Sequence, residues 1–185
     1  DMARKNKRGK LIVIDGTDSS GKATQTGLLI RHLKRDGCKV KVVDFPDYYS
    51  NFFGKFIGHC LSEQYYNFVK VHPKIASVLY AADRYESKNK IEKWLSAGNI
   101  VIANRYASAN QIHQGGKIRD PKKRRQFLDW LAKMEYDVFG IPKPDLVLYF
   151  DAPVELSLKN LKKKKAKYTN GKKDLHEGNR TFLAN

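Results

Sequence analysis

Short apolar runs and amphipathic segments alternate along this chain. Residues 10–16, KLIVIDG, are a compact apolar run closing on a glycine turn, which predicts a strand buried in a parallel sheet. Residues 23–37 then show helical spacing, with Leu28, Leu29 and Leu33 on one face and Gly37 as the stop. A second strand is expected over 38–46, closed by Pro46, and an amphipathic helix over 52–61 despite Gly54 and Gly58. Residues 72–98 read as one long helix, with Pro73 in its first turn and Gly98 at its end. A third strand over 99–106 runs into a loop, and 120–140 reads as a further amphipathic helix stopped by Gly140. Residues 143–153 carry a fourth strand, and 154–167 begins as a helix and dissolves into lysines.

Strands alternating with helices predict an α/β fold in three layers, a central parallel sheet flanked by helices and joined by right-handed crossovers. No linker, repeat or break in composition divides the chain. Residues 1–185 therefore read as a single domain, preceded within it by a basic extension at 1–9.

Charge changes the picture more than composition does. At 41% hydrophobic and 30% charged the chain suits a globular protein, but its net charge of +17 would attract nucleotides, nucleic acid or anionic membrane. Residues 159–173 hold eight lysines and no acid. They read either as a solvated segment or as a phosphate-facing lid or nucleic-acid patch. No run of eighteen apolar residues predicts a membrane span, and the basic N-terminus is not followed by a secretory h-region. Cys38 and Cys60 lack metal-like spacing and suit reduced thiols in the cytoplasm.

The first strand ends in Gly16, Thr17, Asp18, Ser19, Ser20, Gly21 and Lys22, the G-x-x-x-x-G-K spacing of a phosphate loop. Such glycines let backbone N–H groups turn inward around an anion, and the following helix adds its positive end. Lys22 would bridge the outer phosphates of a nucleotide. Ala23 stands where the motif has a magnesium-ligating hydroxyl, and Thr24 lies about 100° further round the helix. Asp15 and Asp151, at two strand ends, are the candidates to hold a metal through water. Arg105, just after the third strand, sits where α/β sheets bind ligands.

With these motifs on view, the sequence resembles the thymidylate kinase family of phosphate-loop nucleoside monophosphate kinases. The resemblance covers about residues 10–179: LIVIDGTDSSGKATQ, VVDFP, VLYAADRYE, NRYASANQIHQGGK, PKPDLVLYFDAPVE and KKDLHEGN follow in the family's order. It implies the phosphate-loop NTPase fold and transfer of phosphate from ATP, with Mg2+, to thymidylate (dTMP). It also implies roles for single residues. Lys22 and the loop from Gly16 to Thr24 would hold the donor, and Asp18 would accept from the acceptor's 3′-hydroxyl. Tyr80 would stack on thymine beside Phe45, Arg84 would reach the base edge, Gln114 would line the base side, and Arg105 would bind the acceptor phosphate. Lys162, Lys163, Lys164, Lys165, Lys167 and Arg180 would form a cationic lid, an arrangement that suits a loop with Ser19 rather than arginine.

Three positions depart from the family pattern: Ala23, Asn104 for the usual aspartate, and Asp47 where members often carry arginine. The resemblance implies a homodimer through helices that include 74–94, and a natural chain continuing past Asn185 into a further helix, strand and helix. Two other readings stay open on the residues alone. One is a kinase for another nucleoside monophosphate or a deoxynucleoside. The other is a basic nucleic-acid-binding protein on a kinase scaffold, which the ordered acceptor motifs disfavour. In the local chemistry, Tyr80 and Tyr85 also fit as ordinary core aromatics, and Arg84 as a surface partner of Asp83 or Glu86.

Overall fold

The computed structural model describes residues 8–17, 20–62, 68–153 and 155. The chain order is β1 (Leu11–Gly16), α1 (Lys22–Arg35), β2 (Val40–Asp44), α2 (Phe52–Leu61), α3 (Pro73–Glu86), α4 (Lys88–Ser96), β3 (Ile100–Asn104), α5 (Ala107–Gly115), α6 (Pro121–Ala132) and β4 (Leu146–Phe150). The strands form one all-parallel sheet in the order β2-β3-β1-β4. Helices flank it, as the alternating pattern requires. β1 runs through the middle, with Val13 level with Ala103 on one side and Val147 on the other.

The apolar run of β1 is explained by this position. Leu11 and Val13 join Val43, Val101 and Ala103 on one face, where Ile91 and Leu95 of α4 close the core. Ile14 and Ile102 are buried as well, so the central strands are covered on both faces, the usual state of parallel strands. At about 25 cal/mol per Å² of apolar area, this burial is the main force holding the sheet together. A second cluster, Ile57, Cys60, Leu61, Phe68 and Ala76, ties α2 to α3.

Three segments differ from the sequence expectation. The long helix over 72–98 is two helices, broken at Ser87, whose Oγ accepts 3.0 Å from Asn51 Nδ2. The expected loop after β3 is a helix, α5, whose buried face mixes small and polar residues: Ala107, Asn110, Gln114 and Gly115. The helix expected over 120–140 ends at Ala132 and continues as a π-helical turn, Lys133–Val138, where Phe139 N bonds to Met134 O at 2.9 Å. A regular helix would have turned Val138 inward with Leu131; here Val138 is 69% exposed. β4 begins at Leu146, later than expected, because Asp145 is occupied in capping Leu11 N at 2.8 Å.

Candidate active site

The site is built at the C-terminal ends of β1, β3 and β4, where the strands stop in register. Gly16 pairs with Phe150 and Ile14 with Asn104, so Arg105 stands level with Asp15, the residue before the glycine turn. The turn needs its glycines. Gly16 has φ 137°, and a Cβ there would meet the backbone oxygen of Phe150. Gly21 has φ 91° and caps α1 without a side chain; no acid lies in the first turn. The first N–H groups of α1 have no intrahelical acceptor, so the turn presents a positive helix end at the strand tips.

Lys22 folds over this turn. Its ammonium donates to Gly16 O at 2.9 Å and to Thr17 O, and the side chain is nearly buried. Ser20 Oγ is buried and has no hydrogen-bond partner among the described residues, an orphaned polar atom that fits a phosphate oxygen. Ala23 and Thr24 both face solvent. Asp18, Ser19 and the lid candidates Lys162, Lys163, Lys164, Lys165, Lys167 and Arg180 lie outside the described residues.

Asp15 is fully buried. Its Oδ1 accepts from Gly16 N at 2.9 Å and its Oδ2 from Ser108 Oγ at 2.6 Å, so a serine of α5 reports directly to the phosphate turn. Asp151 is exposed, just past β4. Burial pushes the Tyr149 phenol up, and the negative charges of Asp151 and then Asp15 add to it. Tyr149 is the register partner of Asp15 on the neighbouring strand. Among the described residues no group of three or more His, Cys, Asp and Glu gathers as a metal cage.

Arg105 adopts φ 65°, a left-handed backbone that a non-glycine residue rarely takes without a reason. Its N–H bonds to Ile14 O at 2.8 Å, which locks the strained residue beside β1. Nη1 lies 2.9 Å from His113 Nε2. Beside it, Asn104 Nδ2 donates to Asp44 Oδ1 at 2.7 Å, while Asn104 Oδ1 is buried without a partner among the described residues.

The base-side candidates lie on α3 and α5. Arg84 is buried rather than at the surface, and neither Asp83 nor Glu86 takes it. Its Nε donates to Glu135 Oε2 at 3.0 Å and its Nη2 to Glu135 Oε1. Although burial alone would lower the Arg84 pKa, the Glu135 charge and hydrogen bonds raise it further, so the guanidinium stays charged. Gln114 is buried, its Oε1 without a hydrogen-bond partner among the described residues. Tyr80 is half-buried and packs its ring 5.9 Å from Phe68. Phe45 is 3% exposed in the core, 5.7 Å from the Tyr106 ring, so it supports the loop that follows it.

That loop is held by α3. Asp83 is buried, accepting from Asp47 N at 3.1 Å and from Asn51 Nδ2 at 2.9 Å; burial pushes its carboxyl up to about 6. Glu86, across the turn, accepts from Phe52 N and Phe53 N at 3.0 and 2.8 Å and caps α2 in place of Asn51. Sequence reasoning missed Ser108, Asn110 and Glu135. The first two were hidden in a segment with a weak apolar pattern, and Glu135 is 51 residues from its arginine.

Phosphate-loop spacing at the tip of a parallel strand, an arginine with left-handed backbone at the next strand end, and buried polar side chains on α3 and α5 are the arrangement of a phosphate-loop phosphotransferase. Comparison with known proteins narrows the class. The thymidylate kinase family model matches residues 14–182. The chain is 31% identical over 169 residues to the thymidylate kinase of Homo sapiens, covering 89% of this chain and 71% of that protein. It is 34% identical over 157 residues to a probable thymidylate kinase of Pyrococcus horikoshii, covering 84% and 71%. It is 30% identical to the thymidylate kinase of Plasmodium falciparum, covering 82% of this chain and 66% of the relative. A solved thymidylate kinase structure from Candida albicans superposes with a TM-score of 0.71 at 28% identity, covering 96% of this chain and 74% of that one. The chain belongs to the thymidylate kinase family. It spans about two thirds to three quarters of the length of these relatives.

Proposed function

We propose that this protein transfers the γ-phosphoryl group of ATP to the 5′-phosphate of thymidylate, giving dTDP and ADP on the way to dTTP. The observation that carries the reading is the placement of Arg105: a strained residue beside β1, level with Asp15 at the mouth of the phosphate turn. A donor phosphate in the turn and an acceptor phosphate on Arg105 would meet across adjacent strand ends. The acceptor oxygen forms a bond to the γ-phosphorus as the bridging bond to ADP breaks. The acceptor is already anionic near neutral pH, so no base is needed, and catalysis reduces to positioning and charge neutralisation.

Lys22, Ser20 and the first amides of α1 support donor binding. Tyr80, Arg84 and Gln114 support a base pocket, with Asp18 on the acceptor's sugar side. Asp15 and Asp151 would hold Mg2+ through water, and the ion would neutralise charge on the donor's outer phosphates. The lysines of 162–167 with Arg180 would close over the transferring group and exclude water. We infer that the enzyme works in the cytoplasm, in keeping with Cys38 and Cys60, which form no disulfide among the described residues. We also infer that it works as a homodimer, which the exposed Ile75, Val78 and Tyr85 of α3 favour. Among the described residues no helix is long and apolar enough to cross a membrane.

The test is ADP release from ATP with each deoxynucleoside monophosphate, uridylate and thymidine as acceptors. Turnover dependent on thymidylate, and lost in Lys22→Ala, is the expected result. Turnover only with another acceptor would move the substrate. No turnover in a folded protein that binds DNA, with affinity falling steeply in salt, would replace the enzyme with the nucleic-acid reading.

A further inference from the structure

We propose that Glu135 is a positioning residue that sets base preference by fixing the orientation of Arg84. The inference rests on the thymidylate reading above and names the device behind its specificity.

Glu135 is fully buried, yet it does not lie among the phosphate contacts. Its carboxylate receives Arg84 through Nε at 3.0 Å and Nη2, and receives Asn110 Nδ2 at 3.0 Å on Oε1. Asn110 spends its second amide hydrogen on Ser77 O at 3.1 Å. Three helical segments therefore meet in one polar knot: Ser77 and Arg84 from α3, Asn110 from α5, and Glu135 from the π turn. The π turn is the local feature that brings it there, since Met134 and Glu135 are both buried while Val138 is turned out. Such turns often mark functional positions in helices.

A buried ion pair is poor evidence of stabilisation, because desolvation of both charges opposes their attraction. Its use here is geometric. The fork of Glu135 occupies the Nε edge of the guanidinium. Among the described residues Nη1 carries no hydrogen bond. It is left as a donor-only tip, and on α5, which also supplies Asn110, the buried Gln114 Oε1 has no hydrogen-bond partner among the described residues. A donor-only tip accepts a ring carbonyl and rejects a ring amino group, because an amino group offers hydrogens where an acceptor is needed. Held rigidly, Arg84 distinguishes a 4-oxo pyrimidine from a 4-amino pyrimidine. Released from Glu135, the same guanidinium turns and the distinction weakens.

The experiment compares thymidylate with deoxycytidylate in the full chain, before and after Glu135→Gln, by steady-state kinetics and by calorimetric binding of each nucleotide without ATP. The expected result is a rise of tenfold or more in the thymidylate KM and Kd. The change in kcat stays below threefold, the KM for ATP is unchanged, and the preference for thymidylate over deoxycytidylate falls at least tenfold. Glu135→Asp, which keeps the charge but retracts it, should lose preference as well, and decides the matter if Glu135→Gln does not fold. A purely structural Glu135 would lower the folded fraction and leave the preference unchanged; a folded variant with preference within twofold of the parent overturns the inference. The two readings fail differently: a parent protein indifferent to thymidylate overturns the proposed function, whereas a thymidylate-dependent parent with an unaltered variant overturns only the role of Glu135.

Discussion

Arg105 Nη1 meets His113 Nε2 at 2.9 Å, and since a guanidinium only donates, the imidazole is the acceptor. One helical turn of α5 thus steadies the arginine whose backbone is already strained at φ 65°.

His113→Phe keeps the ring and removes the acceptor. A hydrogen bond to a charged group is worth about 1.5–3 kcal/mol, part of which other contacts of Arg105 retain. The KM for the acceptor should rise roughly five- to thirtyfold at about 1.4 kcal/mol per decade, with the KM for ATP unchanged. Initial-rate kinetics in both substrates check this, and an equal rise in both would speak for a general loss of fold instead.

Asp83 should make stability depend on pH. Its carboxyl is raised from 3.8 to about 6 by burial, against the hydrogen bonds from Asn51 and Asp47. A raised acid binds its proton more tightly folded than unfolded. Its stabilising share is therefore complete below the unfolded value and is lost as pH climbs through about 6. The swing is on the order of 2–3 kcal/mol. Urea unfolding between pH 5 and 7.5 should show the parent losing stability with rising pH relative to Asp83→Asn, and parallel profiles would contradict it.

Two glycines in helices should respond in opposite directions to alanine. At Gly54 a Cβ would meet the Asp47 backbone oxygen and stand 2.8 Å from Asp83 Oδ1, so Gly54→Ala should cost about 1–3 kcal/mol. At Gly27 the nearest atom is Arg31 Nη1 at 3.7 Å, and Gly27→Ala should add about 0.5–1 kcal/mol by stiffening the unfolded chain. Thermal unfolding of the two variants decides both.

Lys117 should be better replaced by an apolar residue. Its Nζ is buried without a hydrogen-bond partner among the described residues, and burial lowers its pKa from 10.5 to about 8. A lysine lowered in the fold costs stability while charged, and regains it as pH rises through about 8. Lys117→Met should therefore raise Tm at pH 7, with the gain shrinking toward pH 10. Calorimetric melts across that range check the direction.

The sequence by itself determined the parts whose physics is local. An apolar run, a glycine turn and a helix start are neighbours in the chain, so β1, the glycine turn and α1 were legible, as were the other three strands. The family pattern pointed to Lys22, Arg105 and the base-side residues; of the last, Arg84 and Gln114 are buried, Arg84 against the carboxylate of Glu135.

Tertiary structure decided what depends on distant partners. The break at Ser87 follows no loss of helical pattern; it is made by Asn51, 36 residues away. Helix α5 was invisible because the face it buries joins small residues, Ala107 and Gly115, to polar ones, Asn110 and Gln114, and no periodicity of large apolar residues marks such a face. The left-handed backbone at Arg105 is held by a distant partner, Ile14 O, which accepts from its N–H. Arg84 found its carboxylate not in adjacent Asp83 or nearby Glu86 but in Glu135, 51 residues on, because pairing inside a low-dielectric core is set by packing, and packing is not written in the local pattern.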